Sequence, residues 1–336
     1  MTRGVRLAAS IIVVAVAGGA AGASCPRGAV RPRGGTPPVF YQLPPRATCD
    51  TSYLPTEVAG LVGNPELLEA SGLAPSAKNA EVLWSVNDSG SDALVYALGE
   101  DGSHLGAVRL PVANEDFEDV AVAPCPDLVD SCVYVADTGD NALARSSVVV
   151  YAFAEPPVSP EEPLSTADGP VSLAAEALWR FPLRFPDGPV NVEALVVVPD
   201  ATAMLLFEKT TDESARIYVL QAPWFPEQPT TLEQRGVVSL PPIGGDTRIT
   251  GASIHWTGRL LAIRTYEGVY EFTLQSLSEL FDLDARTPWV AVVPEDEAQG
   301  ESVCYGGDGT SLFTLSESDG GSSGVALHVS ECAPTS

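Results

Sequence analysis

One pattern of residues recurs five times along the chain, and it constrains the fold more than any other feature. The first unit reads Glu69-Ala-Ser-Gly-Leu, then VLWSVNDSG, then ALVYALGEDG; the second reads Glu118-Asp-Val-Ala-Val, CVYVADTGD, SVVVYAFAEP. The third is Glu193-Ala-Leu-Val-Val, MLLFEKTTD, ARIYVLQAP, and the fourth is Gly251-Ala-Ser-Ile-His, RLLAIRTYEG, VYEFTLQ. The fifth is Glu301-Ser-Val-Cys-Tyr, SLFTLSESDG, GVALHVSEC. One further apolar run separates successive units: LGAVRLPV, ALWRFPLRF, RGVVSLPPI and WVAVVPE. Each unit therefore predicts four short strands rich in β-branched and aromatic residues, with turn residues between them. A lone sheet of this kind has two faces to bury, and packing several around an axis buries both.

The predicted fold is an all-β propeller of five four-stranded blades. Six blades stay possible because the units are unevenly spaced, at 49, 75, 58 and 50 residues. The longest gap holds a Pro/Ser-rich insert near 156–172, read as a loop. A β-sandwich is the competing all-β reading. The fifth unit lacks an outermost strand, whereas Glu57-Val-Ala-Gly-Leu-Val62 is unclaimed at the other end. Pairing the two closes the ring and protects an edge. Ala70, Ala194, Ala252 and Ser302 follow the Glu column, as the crowded axis requires.

The predicted organisation is a signal peptide over 1–24, a tether over 25–52 and the propeller over 53–336. Arg3 and Arg6 precede an apolar run at 7–17, too short to span a bilayer. Small residues then lead to Cys25, which resembles the lipid-bearing cysteine of a bacterial lipoprotein, although Gly22 stands where Leu is usual. Cleavage after Ala23 with free secretion is the alternative. The expectation is thus an exported protein, either an outer-envelope lipoprotein or secreted, that meets a membrane only through lipid at Cys25. The chain carries 44 acids and 18 bases. All six bases before Asp50 are Arg in the signal and tether, so the predicted propeller has a net charge of −32. Nucleic acids and anionic membrane surfaces are excluded as partners by repulsion.

Two charged columns are predicted to meet. Glu69, Glu118, Glu193 and Glu301 begin innermost strands, with Gly251 in the fourth unit. Asp88-Ser89, Asp137-Thr138, Lys209-Thr210, Arg264-Thr265 and Glu317-Ser318 end second strands. Consecutive strands are antiparallel, so both columns reach one mouth of the central channel. Confined carboxylates there repel by several kcal/mol at an effective dielectric of about 20. A bound cation, raised carboxyl pKa values or hydrogen bonds from inner-strand amides would relieve this. Oxygen donors without a His or Cys cluster point to Ca²⁺. The metal set is then Glu69, Glu118, Glu193 and Glu301. Asp88 or Asp137 would activate water, Lys209 and Arg264 would receive negative charge, and Glu317, Asn191, Gln299 and Asp119 would contact ligand. The competing reading is that the Glu side chains only cap strand amides and the hydroxyls only close turns.

The residues Leu-Trp-x-x-Asn-Asp-Ser-Gly (83–90), Asp116-Phe-Glu-Asp119, Asp137-Thr-Gly-Asp-Asn141 and Gln299-Gly-Glu301 resemble motifs of a group of exported bacterial β-propeller proteins of mostly undefined activity. Their second motif is usually Asp-Trp-Glu-Asp; here Phe117 replaces the Trp. The resemblance covers roughly 65–332. More distantly the chain is similar to calcium-dependent propeller enzymes, the gluconolactonases and β-propeller phytases, which have six blades.

Weaker signals have plainer readings. Asp137-x-x-Asp140-Asn141 lacks EF-hand spacing and fits an Asx-turn. Gly320-x-Ser322-x-Gly324 precedes no helix, unlike a nucleophile elbow. His104, His255 and His328 lack zinc spacing, and Trp84 and Trp179 read as packing. Cys125 and Cys132 flank one turn and predict a disulfide, Cys49 and Cys332 predict a second that staples the ring, and Cys304 stays a buried thiol. Cys25–Cys49 competes if Cys25 carries no lipid. The function expected is an exported binding or scaffold propeller for a small anionic ligand or an envelope protein. The alternative is a Ca²⁺-dependent hydrolase of phosphoesters or lactones using the same funnel.

Overall fold

The protein is described by a computed structural model over residues 48–334, apart from 51, 65, 165–168, 244, 295, 296, 298 and 319–324. The segment expected to be a signal peptide, Cys25, most of the expected tether and the Gly320-x-Ser322-x-Gly324 motif lie outside the described residues. β1 (Glu57–Leu61) opens the fold. Blade one follows as β2 (Ala70–Pro75), β3 (Val82–Asn87), β4 (Leu94–Gly99) and β5 (His104–Arg109). Blade two is β6 (Phe117–Pro124), β7 (Ser131–Asp137), β8 (Val148–Ala154) and, after the short β9 (Val171–Ser172), β10 (Trp179–Arg184). Blade three is β11 (Val192–Val197), β12 (Ala203–Glu208), β13 (Ala215–Gln221) and, beyond the short β14 (Thr230–Thr231), β15 (Glu233–Val238). Blade four is β16 (Ile249–Ile254), β17 (Leu260–Thr265), β18 (Gly268–Thr273) and β19 (Trp289–Val292). Blade five is β20 (Gly300–Tyr305), β21 (Ser311–Ser316) and β22 (Ala326–Glu331), completed by β1.

The blades number five, not six, and β1 pairs antiparallel with β22 to close the ring. The described part of the insert near 156–172 is mostly irregular, as expected, but its end forms β9, which adds parallel to the outer edge of blade one. β14 does the same for blade two.

Strand periodicity builds the core. On β7, Val133 and Val135 pack toward blade one, whereas Tyr134 and Ala136 pack toward blade three. A strand buried on both faces reads as a continuous apolar run, which is what the sequence shows. Five apolar layers result, one between each pair of neighbouring blades. The layer between blades four and five also holds buried polar groups. There the buried Arg264 guanidinium pairs with Glu297, whose other oxygen accepts from Thr314. Glu271 accepts from Tyr53, Tyr305 and Trp289 in the same layer.

Both expected disulfides are present, Cys125–Cys132 and Cys49–Cys332, and Cys304 is a buried free thiol. They fit an oxidising compartment. No helix among the described residues is long and apolar enough to cross a membrane.

Candidate functional site

The mouth is shaped by a feature that the sequence did not reveal. In every blade the innermost strand carries a one-residue β-bulge near its start. Pairing with the second strand skips Ser71, Glu118, Glu193, Thr250 and Glu301. A bulge bends the strand and re-aims the extra side chain. Ser71, Glu118, Glu193 and Glu301 thereby line a cavity of about 210 Å³ at one end of the axis.

Two further columns are fixed by these bulges. Two residues before the bulge stand Glu69, Asp116, Asn191, Arg248 and Gln299. The first residue past the paired end of each second strand is Asp88, Thr138, Lys209, Tyr266 or Glu317. Of these, Asp88, Arg248, Lys209, Tyr266, Gln299 and Glu317 line the cavity, together with Asn141 from the loop after β7.

Several expected positions are corrected by this register. Glu69 is an exposed rim residue in the Asp116 column, and Ser71 takes the bulge position assigned to it. Asp137 sits one residue too early to face the mouth. Its buried carboxylate accepts from Arg145 at 2.8 Å and from the Asp116 N–H at 3.2 Å. Arg264 lies two residues too early and is buried in its pair with Glu297; Tyr266 occupies the mouth instead. Asp119 does not line the cavity either. Its carboxylate lies at the axis, where it accepts the N–H groups of Val120 and Leu195 at 2.8 Å and of Ala252 at 3.4 Å. Asp119 therefore ties the inner strands of blades two, three and four together. Space at that level is tight: a Cβ on Gly72 would come 2.5 Å from the Val120 nitrogen, and one on Gly251 2.6 Å from the Glu301 carbonyl oxygen. Asn191 donates to Glu193 at 3.0 Å and to Asn141 at 3.2 Å, behind the cavity lining. Asp140 accepts the Ala144 and Arg145 amides at 2.8 Å, four and five residues on, so it closes a wider loop than the expected Asx-turn.

The mouth is electrically polarised. On the side of blades one and two, Asp88, Asp116 and Glu118 offer carboxylate oxygens within 4.8 Å of one another. Glu118 is 3% exposed, and its Oε1 has no hydrogen-bond partner among the described residues. Oε2 receives a long bond from Ser71, at 3.4 Å. A Cβ on Gly139 would collide with the Glu118 and Asp116 carboxylates, so the loop leaves room for them only as glycine. Burial, then the Asp88 charge, pushes Asp116 up to about 6. Burial, then Glu193 and Asp88, lifts Glu118 as well.

On the side of blades three and four, basic groups accompany the acids. Lys209 forms an ion pair with Glu193, and its Nζ lies 4.9 Å from the centroid of Tyr266. Arg248 lies over the same ring at 4.7 Å and pairs with Asp246. Burial disfavours the Lys209 charge, but Glu193 and Glu301 outweigh it and hold the ammonium above its ordinary range. Glu301 accepts from Gln299 at 2.7 Å, and burial pushes it up to about 8. Burial, then Asp88 and Glu69, also lifts Glu317.

Arg248, Tyr266 and Ser71 escaped the sequence reading, and Asn141 entered it only within the Asp137–Asn141 motif. In the structure Thr265 pairs with Gly268, so Tyr266 begins a two-residue hairpin turn. A cavity of about 60 Å³ at the far end of the axis is lined by Pro75, Val122, Pro199, Ile254 and Trp256 without any carboxylate. His255 and Tyr305 also line that cavity, so the carboxylates, rather than all ionisable groups, distinguish the mouth.

No protein-family model matches the sequence, and no curated protein matches it. Solved structures with a similar fold include a gluconolactonase from Xanthomonas campestris, at 12% identity and a TM-score of 0.43, covering 86% of this chain and 98% of that one. The WD40 repeats of RRP9 match at 12% identity and a TM-score of 0.36, over 79% of this chain and 67% of that one. A chain of the mitotic checkpoint complex matches at 12% identity and a TM-score of 0.36, over 78% and 63%. Similarity this distant carries no argument about activity.

Proposed function

We propose that this is an exported binding propeller whose axial mouth holds a divalent cation, Ca²⁺ by the hardness of its donors, and with it a small anionic ligand. One observation carries the reading: a buried Glu118 oxygen without a hydrogen-bond partner among the described residues faces two more carboxylates. Three such groups within 4.8 Å repel by roughly 3 kcal/mol per pair at an effective dielectric of about 20. A divalent cation removes that repulsion and supplies the missing partner. Three carboxylates offer up to six oxygens, and Ca²⁺ accepts about six to eight, so positions are left for ligand oxygens. Lys209 and Arg248 lie across the opening to meet negative charge. Export, with or without lipid at Cys25, suits the two disulfides. An envelope protein presenting an acidic side chain or phosphate would meet the same two halves.

The second reading is a Ca²⁺-dependent hydrolase of phosphoesters or lactones. It is favoured by Glu301, whose carboxyl at about 8 can exchange a proton near neutral pH inside the mouth. The test is a thermal melt of the mature chain with chelator, with Ca²⁺, and with Ca²⁺ plus phosphorylated or carboxylated compounds. Hydrolysis of generic phosphoester and lactone substrates is followed in parallel. Stabilisation by Ca²⁺ and further by an anion, without turnover, supports the binding propeller. Ca²⁺-dependent turnover lost in Glu301→Gln supports the hydrolase, and indifference to chelator removes both.

A further inference from the structure

The half of the mouth opposite the carboxylate trio already contains a cation, and the chain supplies it. The Lys209 ammonium is ion-paired with Glu193 of its own blade and lies against the Tyr266 ring of blade four. Glu301, two blades away, also acts on its charge. The surroundings are those of a bound ion. Asn191 steadies the far oxygen of Glu193 at 3.0 Å, and Gln299 steadies Glu301 at 2.7 Å. An aromatic face closes one side, as in sites that recognise ammonium groups.

We propose that Lys209 is the resident occupant of a second cation position, which restricts the mouth to one exchangeable metal ion. This rests on the reading that Asp88, Asp116 and Glu118 hold the first. Removing the ammonium leaves Arg248, already paired with Asp246, as the remaining cation lining the cavity with Glu193 and Glu301, and a divalent ion can take the vacated position. Lys209 is then a specificity-determining residue. It excludes the paired-metal arrangement that clamps both the attacking and leaving oxygens of a phosphoryl group. It also presents to any ligand on the exchangeable ion a fixed positive charge that cannot dissociate. Ligands with a single anionic group spanning the ion and the ammonium are favoured over those that need two metals.

The test is the stoichiometry of Ca²⁺ binding, by titration calorimetry of the chelator-treated mature protein. The expected result is one ion per chain for the native protein, two for Lys209→Met, and one again for Lys209→Met combined with Glu301→Gln. One ion in Lys209→Met with the native affinity overturns the inference while leaving the first site intact. No ion in the native protein overturns the first site. A single ion in Lys209→Met, lost on adding Glu301→Gln, then still supports the second position. If Lys209→Met gives no cooperative melt in chelator, its recovery by Ca²⁺ but not by Na⁺ is the same expected result, and failure to recover overturns the inference.

Discussion

Asp119 Oδ2 accepts the backbone N–H of Leu195 at 2.8 Å, so a carboxylate on the inner strand of blade two fastens the inner strand of blade three. The same oxygen reaches the Ala252 amide of blade four, and Oδ1 holds the Val120 amide. The acid nearest the proposed cation in sequence is thus a structural plug. Replacing it by Ala leaves three buried amides unpaired, at about 1–3 kcal/mol each. Asp119→Ala is expected to lose at least about 3 kcal/mol in urea unfolding. A loss under about 1 kcal/mol contradicts the plug.

The two disulfides differ in the loops they close. Cys49–Cys332 spans 283 positions and Cys125–Cys132 spans 7. Chain entropy gives the longer loop about 5 kcal/mol and the shorter about 2 kcal/mol. Cys49→Ser with Cys332→Ser should therefore lower the denaturation midpoint clearly more than Cys125→Ser with Cys132→Ser. The reverse order would show that ring closure rests on β1 pairing alone.

Stability of the metal-free protein is expected to depend on pH in a defined direction. Burial raises Glu301 to about 8, against Lys209, whereas an unfolded Glu titrates near about 4.3. The folded state therefore holds an extra proton across that window. Its stabilising share is complete below the unfolded value and is lost as pH rises through about 8. In chelator the melting temperature should fall from pH 5 to pH 8, and Glu301→Gln should flatten the slope. An unchanged slope in Glu301→Gln contradicts the assignment.

Arg264 and Arg248 offer a direct contrast. Burial alone would lift Glu297, but Arg264 and hydrogen bonds from His328 and Thr314 hold its carboxyl below the ordinary range. Arg264→Ala strands that carboxylate in the core, at a cost of about 3–5 kcal/mol. Arg248 is partly exposed, and its removal should cost under about 1 kcal/mol. Denaturant curves and anion titrations of both variants should show opposite profiles: Arg264→Ala unstable with anion binding kept, Arg248→Ala stable with binding weakened.

The blades were legible because a strand buried on both faces writes itself as a short apolar run, and five such groups repeat. Closure was legible because one unit lacked a strand and another strand lacked a unit. The register at the mouth was not. Aligning Glu69 with Glu118 matched letters across a bulge whose position depends on backbone pairing, and the true partner of Glu118 is Ser71. The charged-then-hydroxyl column failed for the same reason in two blades. Arg264-Thr265 imitates Lys209-Thr210 in sequence, yet the tight turn after β17 places Tyr266 at the opening and buries the arginine. Convergence of acids on one mouth followed from strand direction alone, whereas which acids converge required the bulges.

The central claim is that Asp88, Asp116 and Glu118 together hold a divalent cation. Calorimetric titration of Ca²⁺ into chelator-treated native protein and into Glu118→Gln tests it most directly. The account predicts one bound ion in the native protein and at least a tenfold weaker interaction in the variant, about 1.4 kcal/mol or more. Equal binding in both proteins, or none in either, would contradict it.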